Sequence, residues 1–120
     1  MTTTLDIIKN KLNFLIEEYG FTFEFINDWG CHYIFNNKNG CIEFYEWAQF
    51  NESAFFVNYD MISKKINLIE EYPKIVAHFY KTHKGIKWFF KDDREDYWQM
   101  ISEIIKIEIN NNKSIFGLKL

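Results

Sequence analysis

The histidines and cysteines are the residues that could bind a metal or act as a nucleophile. The chain contains three histidines and two cysteines, which are His32, His78, His83, Cys31 and Cys41. His78 and His83 are five residues apart, so they do not share a helix face as an i, i+4 pair does. Cys31 and His32 are adjacent, so on a strand they point to opposite faces. Since no C-x-x-C or H-E-x-x-H motif occurs, we predict no metal site and no cofactor.

Covalent and nucleotide-dependent catalysis have little support in the sequence. None of the four serines lies in a nucleophile elbow, and no pattern brings a histidine beside either thiol. The 5 glycines are scattered and form neither of the common phosphate-binding loops. We therefore expect a protein that is not an enzyme.

The carboxylates on predicted strands are a richer set. Alternation puts Glu43, Tyr45 and Trp47 on one face of a strand whose other face carries Ile42 and Phe44. The apolar face is expected to pack under helices, because an antiparallel sheet commonly leaves one face solvated. Tyrosine and tryptophan are enriched in protein interfaces, and exposed apolar patches mark partner sites. We therefore predict that Glu43, Tyr45 and Trp47 bind a protein partner.

The same strands allow two other interpretations. If the sheet and helices enclose an aromatic-lined pocket holding Glu24, Glu43 or His32, the chain would be a small-ligand-binding protein or an enzyme. A homodimer built on the aromatic sheet face, acting as a structural or regulatory subunit, is the third possibility. A closed cavity with convergent polar groups would favour the ligand-binding protein or enzyme, whereas a filled core would favour the protein-binding module. Sedimentation would test whether the chain is a homodimer.

A second acidic run occupies residues 92–96. Asp92 or Asp93 can cap the last predicted helix, and Glu95 and Asp96 suit the positive end of its dipole. The same acids could dock a basic partner, and the two roles are compatible. Asp92 and Asp93 therefore join the predicted partner-binding residues.

Composition excludes several classes of function. The net charge is −3 and Arg94 is the only arginine, so the chain has few groups that could bind phosphate in a bidentate manner. We therefore expect no nucleic-acid partner. No stretch approaches the ~20 apolar residues of a membrane span. The first residues lack a basic region followed by an apolar run, so no secretory signal is expected and the predicted location is the cytoplasm.

The elements that must position these residues follow from hydrophobic periodicity. A three-to-four-residue stripe predicts a first helix from Leu5 to Tyr19, capped by Thr4. The remaining predicted elements are strands at 21–25, 31–35, 41–47 and 54–59, a short extended piece at 65–68, helices from 73 to about 84 and from 92 or 93 to a break at 110–112, and a strand or tail at 114–120.

This order predicts an α+β fold in one domain over residues 1–120: an N-terminal helix, an antiparallel meander of about four strands, and two C-terminal helices covering one face. A hairpin with its turn at 37–40 would place Cys31 opposite a residue near 46–48 and Cys41 opposite one near 36–38. The two cysteines are then too far apart for a disulfide, and we expect free thiols.

In length, acidity and aromatic content the chain resembles the small immunity proteins of bacterial polymorphic-toxin and contact-inhibition systems. The aromatic- and charge-rich segments 41–47 and 87–92 prompt the resemblance, which concerns the general composition of the whole chain and includes no shared motif. The resemblance implies a protein that binds a cognate toxin domain and blocks it. An acidic member would suit a basic nuclease-type toxin through charge steering and an aromatic set of hot spots.

Overall fold

A computed structural model describes residues 3–27, 30–47, 52–82 and 94–120. The predicted α+β class is confirmed, with a helical N-terminus, an antiparallel sheet and C-terminal helices. In chain order the described elements are α1 (Thr4–Lys11), α2 (Asn13–Glu17), β1 (Thr22–Asn27), β2 (Cys31–Asn37), β3 (Gly40–Trp47), β4 (Glu52–Tyr59), β5 (Ile62–Lys65), α3 (Leu68–Glu71), α4 (Pro73–Thr82), α5 (Arg94–Asn112), β6 (Ser114–Ile115) and β7 (Leu118–Lys119).

The main sheet is a five-stranded antiparallel meander in the order β1-β2-β3-β4-β5. Cys31 faces Glu46 and Cys41 faces Asn36, which confirms the predicted register of the β2–β3 hairpin. The extended piece expected at 65–68 is present but begins earlier, since β5 covers residues 62–65 as a fifth strand and Ile66 still donates to the oxygen of Phe55. Asn67 ends this piece because its side chain accepts hydrogen bonds from the backbone nitrogens of Ile69 and Glu70, which starts α3 at Leu68.

Local hydrogen bonds correct two predicted helix ends. The first helix is capped by Thr3 rather than Thr4, because Thr3 and Asp6 bond each other reciprocally as a capping box. The last helix runs through the asparagines to Asn112 and does not break at 110. Lys113 supplies the left-handed ending, with φ of 57° and its nitrogen bonded to the oxygen of Ile109.

The turn at 37–40 is confirmed, but its closure differs from the usual Asn-Gly turn. The Asn37 side-chain oxygen accepts hydrogen bonds from the backbone nitrogens of Asn39 (2.8 Å) and Gly40 (3.0 Å). Gly40 then lets β3 approach β4 closely, since a Cβ at this position would lie 2.0 Å from the oxygen of Asn58.

The core lies between one face of the sheet and the helices. Trp98 of α5 meets the edges of Tyr33 and Phe44, while Phe116 meets Phe55. The alternation of Phe21, Phe23 and Phe25 with polar residues predicts a core position for all three, but this is wrong for Phe25, which lies on the edge strand and remains 37% exposed. The last helix buries Trp98, Ile101, Ile104, Ile105 and Ile109, which its three- and four-residue spacing places on one face.

The final residues form a hairpin that closes one end of the core. Ile115 and Leu118 are fully buried, so the segment is part of the fold rather than a tail. The side chains of Asn37 and Asn39 donate to the backbone oxygen of Lys119, which ties this hairpin to the β2–β3 turn.

Over the described ranges, none of the helices combines the length and the apolar character that a membrane span needs.

Candidate partner-binding face

The two faces of the sheet have different surroundings. Ile42, Phe44 and the ring of Tyr33 lie on the face packed against α5, here called the inner face. The opposite face, here called the outer face, carries the alternate residues of each strand. By register these include Glu24 and Ile26 on β1, His32 and Ile34 on β2, Cys41, Glu43 and Tyr45 on β3, Ala54, Phe56 and Asn58 on β4, and Lys65 on β5.

Glu43 is the centre of a polar cluster on the outer face. Its Oε2 accepts a hydrogen bond of 2.9 Å from the Asn58 amide and a longer one of 3.4 Å from the Tyr45 hydroxyl. The Asn58 amide also donates to the Sγ of Cys41 at 3.3 Å. The Glu43 side chain is 21% exposed, so the carboxylate is held in place and still reaches the surface.

His32 forms the other side of this cluster. Its ring stacks on Tyr45 with centroids 3.9 Å apart, and Tyr45 meets the edge of Phe56 on its far side. The Nε2 of His32 lies 3.5 Å from the Oε1 of Glu43 and, within the described part of the chain, has no hydrogen-bond partner. The stacked rings of His32 and Tyr45 thus lie beside the Glu43 carboxylate on this face.

Burial and charge hold the neighbouring groups in their neutral forms. Burial raises the pKa of Tyr45, and the Glu43 carboxylate raises it further. Burial also raises the pKa of the Cys41 thiol, although the hydrogen bond from Asn58 acts in the opposite direction. Because a nucleophilic cysteine needs a lowered pKa, Cys41 is poorly suited to covalent chemistry. The cluster is built to accept hydrogen bonds or positive charge at Glu43.

The predicted partner-binding residues are only partly brought together. Glu43 and Tyr45 share the outer face, as alternation predicted, and they are hydrogen-bonded to each other. Trp47 is the last residue of β3 and pairs with Glu52. Asp92 and Asp93 lie outside the described residues, so their predicted role is not located here.

Tyr33 and Asn58 correct the sequence-based view of this face. The sequence left open whether Tyr33 or Tyr45 lies on the outward face; Tyr33 is buried in the core and donates to Glu46 at 3.1 Å, so Tyr45 is the outward one. Its alternation with Cys31 and Phe35 is the signal that assigns it inward. Asn58 was missed, because its approach to Glu43 depends on the β3–β4 register, which the link between the strands does not reveal.

A cleft of about 480 Å³ lies on the other side of the sheet, between β4, α3, α4 and α5. Its described lining is mainly apolar and aromatic, and includes Phe44, Phe55, Val76, Tyr97 and Trp98. Glu24, Glu43 and His32 are not among the described residues of its lining, so this cleft is not the pocket that the sequence suggested.

Two polar groups of the cleft lining are hydrogen-bonded within the protein. Glu46 accepts the hydrogen bond from Tyr33, and the Asn67 side chain caps α3. The cleft nevertheless offers both apolar contacts and polar groups to a ligand.

Within the described ranges, no three side chains among the histidines, cysteines, aspartates and glutamates come together to hold a metal ion. The two cysteines are free thiols on opposite faces of the sheet.

Comparisons with protein-family models, with curated proteins and with solved structures find no match to this chain. The functional proposals below therefore rest on sequence and geometry.

Proposed function

We propose that this chain is a non-enzymatic, cytoplasmic protein-binding module of the immunity type, which binds a cognate toxin domain and neutralises it. The observation that carries the proposal is the Glu43 cluster, in which Asn58 and Tyr45 hold a partly exposed carboxylate among stacked aromatic rings. A carboxylate fixed before binding loses little conformational freedom when it meets a cation.

The chemistry of the partner follows from this cluster. Glu43 accepts hydrogen bonds and is partly exposed, so a lysine or arginine of the partner is the complementary group. The net charge of −3 would steer a basic domain toward the chain. These features support a basic toxin domain as the partner.

Co-expression with the toxin domain encoded beside this chain's gene tests the proposal. The wild-type chain is expected to restore growth, and the purified pair to bind with a strong salt dependence. Glu43→Lys should abolish protection, while Glu43→Gln should weaken binding about 10- to 100-fold, the range of an interface hot spot. Glu103→Lys, at an exposed position on α5, is the matched control and should protect normally.

Two results would reject the proposal: a wild-type chain that gives no protection and no binding, or a Glu43→Lys variant that protects as well as Glu103→Lys. Circular dichroism on each variant checks that the fold is kept. A loss of protection shared by both charge reversals would reflect net charge and would contradict a role specific to Glu43.

A second candidate function, small-ligand binding, is favoured by the cleft of about 480 Å³, a volume within the usual range for ligand sites. An apolar or aromatic compound that raises the melting temperature would support it. Leu68→Trp, which places a larger ring in the cleft lining, should abolish that effect, whereas Glu43→Gln should leave it unchanged. The reverse pattern would contradict a ligand in the cleft.

A further inference from the structure

The two edges of the main sheet are protected to different degrees. β5 is a four-residue strand that carries Lys64 and Lys65, and short, lysine-bearing edges resist pairing with other chains. β1 has six residues, no lysine and no proline. It pairs with β2 on one side, and no other described strand pairs with its second side. Among the described strands, β1 is therefore the less protected edge.

β1 also exposes apolar side chains on both faces of the sheet. Phe25, toward the inner face, is 37% exposed, and Ile26, on the outer face, is 38% exposed. The Phe25 ring stacks on Tyr33 with centroids 5.2 Å apart and an interplanar angle of 25°. The ring is thus held at the edge with one side against the protein and the other available.

We propose that β1 pairs antiparallel with β1 of a second copy of this chain, joining the two sheets edge to edge about a two-fold axis. A second copy fits because it brings the same unpaired backbone groups and the same apolar side chains to the contact. Continuing the sheet satisfies those backbone groups with main-chain hydrogen bonds and covers Phe25 and Ile26.

The sequence of β1 selects the register of this pairing. In a symmetric antiparallel pair whose corresponding faces lie on the same side of the sheet, one residue lies opposite the same residue of the second copy. Centring the pair on Glu24 would place two carboxylates face to face, which is unfavourable. Centring it on Phe25 pairs the same length of strand, with Phe25 opposite Phe25, Glu24 opposite Ile26 and Phe23 opposite Asn27. The Phe25-centred register is therefore the one proposed.

The dimer and the binding of a partner at Glu43 are independent. Glu43 lies on β3, separated from the β1 edge by β2, so edge pairing leaves the outer face accessible. Loss of one property does not imply loss of the other. One strand per copy gives a contact below the ~800 Å² per partner of a standard complex, so the dimer should depend strongly on concentration.

Sedimentation equilibrium over a dilution series of the full chain tests the proposal. The wild type should pass from monomer to dimer as concentration rises. Phe25→Lys places two lysines opposite each other and should raise the dissociation constant at least about tenfold. Ile62→Lys adds a lysine at the other edge, where Ile62 is also exposed, and should leave the dimer unchanged. Thermal melts confirm that each variant folds.

Oxidative cross-linking tests the register separately. In a Cys31→Ser, Cys41→Ser background, Phe25→Cys should form an intermolecular disulfide, because position 25 lies opposite itself. Glu24→Cys should not, because two residues of offset separate the cysteines beyond the ~7 Å limit between Cα atoms. A monomer at every concentration would overturn the proposal. So would a dimer that Ile62→Lys disrupts and Phe25→Lys does not, or efficient cross-linking of Glu24→Cys without that of Phe25→Cys.

Discussion

At the scale of single residues, Glu108 has the most constrained environment of the described carboxylates. This α5 side chain is 8% exposed and accepts hydrogen bonds from the Tyr72 hydroxyl, the Phe116 nitrogen (2.9 Å) and the Asn112 amide (3.3 Å). Three donors stabilise a charge that burial alone would disfavour. Glu108 thereby joins the end of α3, the last turn of α5 and the final hairpin.

Replacing Glu108 with alanine should destabilise the fold. The substitution leaves the buried Phe116 nitrogen and the Tyr72 hydroxyl without their acceptor, a loss we expect to cost about 2–3 kcal/mol. Urea unfolding monitored by tryptophan fluorescence measures it. Glu103→Ala, on the exposed side of the same helix, should change stability by less than about 0.5 kcal/mol. Equal effects of the two substitutions would contradict the role of Glu108.

Three tyrosines make the fold sensitive to alkaline pH. Burial raises the pKa of Tyr33, of Tyr45 and of Tyr72, and the nearby carboxylates Glu46, Glu43 and Glu108 respectively raise each further. The folded chain therefore keeps protons that the unfolded chain releases near pH 10. Their contribution to stability is complete below that pH and is lost as pH rises above it.

We therefore expect the free energy of unfolding to fall steeply above about pH 10. Tyr33→Phe removes one of these protons and should make the fall less steep by about 1 kcal/mol per pH unit. The measurement is urea unfolding at a series of alkaline pH values. Tyr80→Phe, at a half-exposed position, is the control and should keep the wild-type slope; a Tyr33→Phe profile identical to it would contradict the prediction.

The sequence predicts the position of a residue correctly where alternation along a strand alone determines which face its side chain occupies. It assigns Glu43 and Tyr45 to the face opposite Phe44, which the register confirms. It could not find the role of Glu108, because two of the three donors to this carboxylate, Tyr72 and Phe116, lie 36 positions before it and 8 after it, outside α5. Such a cluster depends on how the helices pack, and no spacing within α5 reveals it.

At the scale of elements, the β4–β5 hairpin has an unfavourable turn. Asp60 and Met61 both have positive φ, 48° and 65°, in a two-residue loop between the paired residues Tyr59 and Ile62. Asparagine and glycine suit these positions, and a methionine there is strained. Met61 is also fully exposed, so its side chain gains nothing from burial.

Met61→Gly should consequently stabilise the protein, by about 0.5–1 kcal/mol, because glycine adopts positive φ without strain. Thermal unfolding would detect the rise in melting temperature. Ser63→Gly, within β5, is the matched change and should destabilise, since glycine weakens a strand interior. A lower melting temperature for Met61→Gly would contradict the assigned turn.

The same turn explains why β5 was not predicted as a fifth strand beginning at Ile62. Residues 62–65 contain three polar side chains and little alternation, and the preceding residues lack the Asn-Gly or Asp-Gly signal of a hairpin. Strands with strong alternation, such as β2 and β3, were predicted to within a few residues. The four-residue strand forms because β4 provides an edge for it, which is a tertiary cause.

At the scale of the whole molecule, the last seven residues complete the core. Ile115, Phe116 and Leu118 are buried, and Gly117, with φ of 97°, lies where a Cβ would be 2.2 Å from the Tyr59 hydroxyl. Residues near both ends of the described chain thus share one hydrophobic core with the sheet. Removing the N-terminal helices, the sheet or the final hairpin should therefore destabilise the other two.

Deleting residues 114–120 should prevent stable folding. Each of the three buried side chains contributes about 1.5–3 kcal/mol, and their sum approaches the ~5–15 kcal/mol that stabilises a typical domain. Circular dichroism and proteolysis would show an unfolded or molten chain. Lys119→Ala, which keeps the backbone oxygen bonded by Asn37 and Asn39, should fold normally. A cooperative unfolding transition in the truncated chain would contradict this view.

The two cysteine thiols lie on opposite faces of the sheet, so their reactivities report on the accessibility of two different sites. Cys31, at the start of β2, packs against the core from the inner face, and Cys41 lies beside Asn58 and Glu43 on the outer face; both thiols are partly exposed. Alkylation of Cys31 would report access to the inner face at the start of β2, whereas alkylation of Cys41 would report access to the Glu43 cluster. A bound partner should slow the second reaction and not the first, so the native chain carries its own two-site footprinting assay.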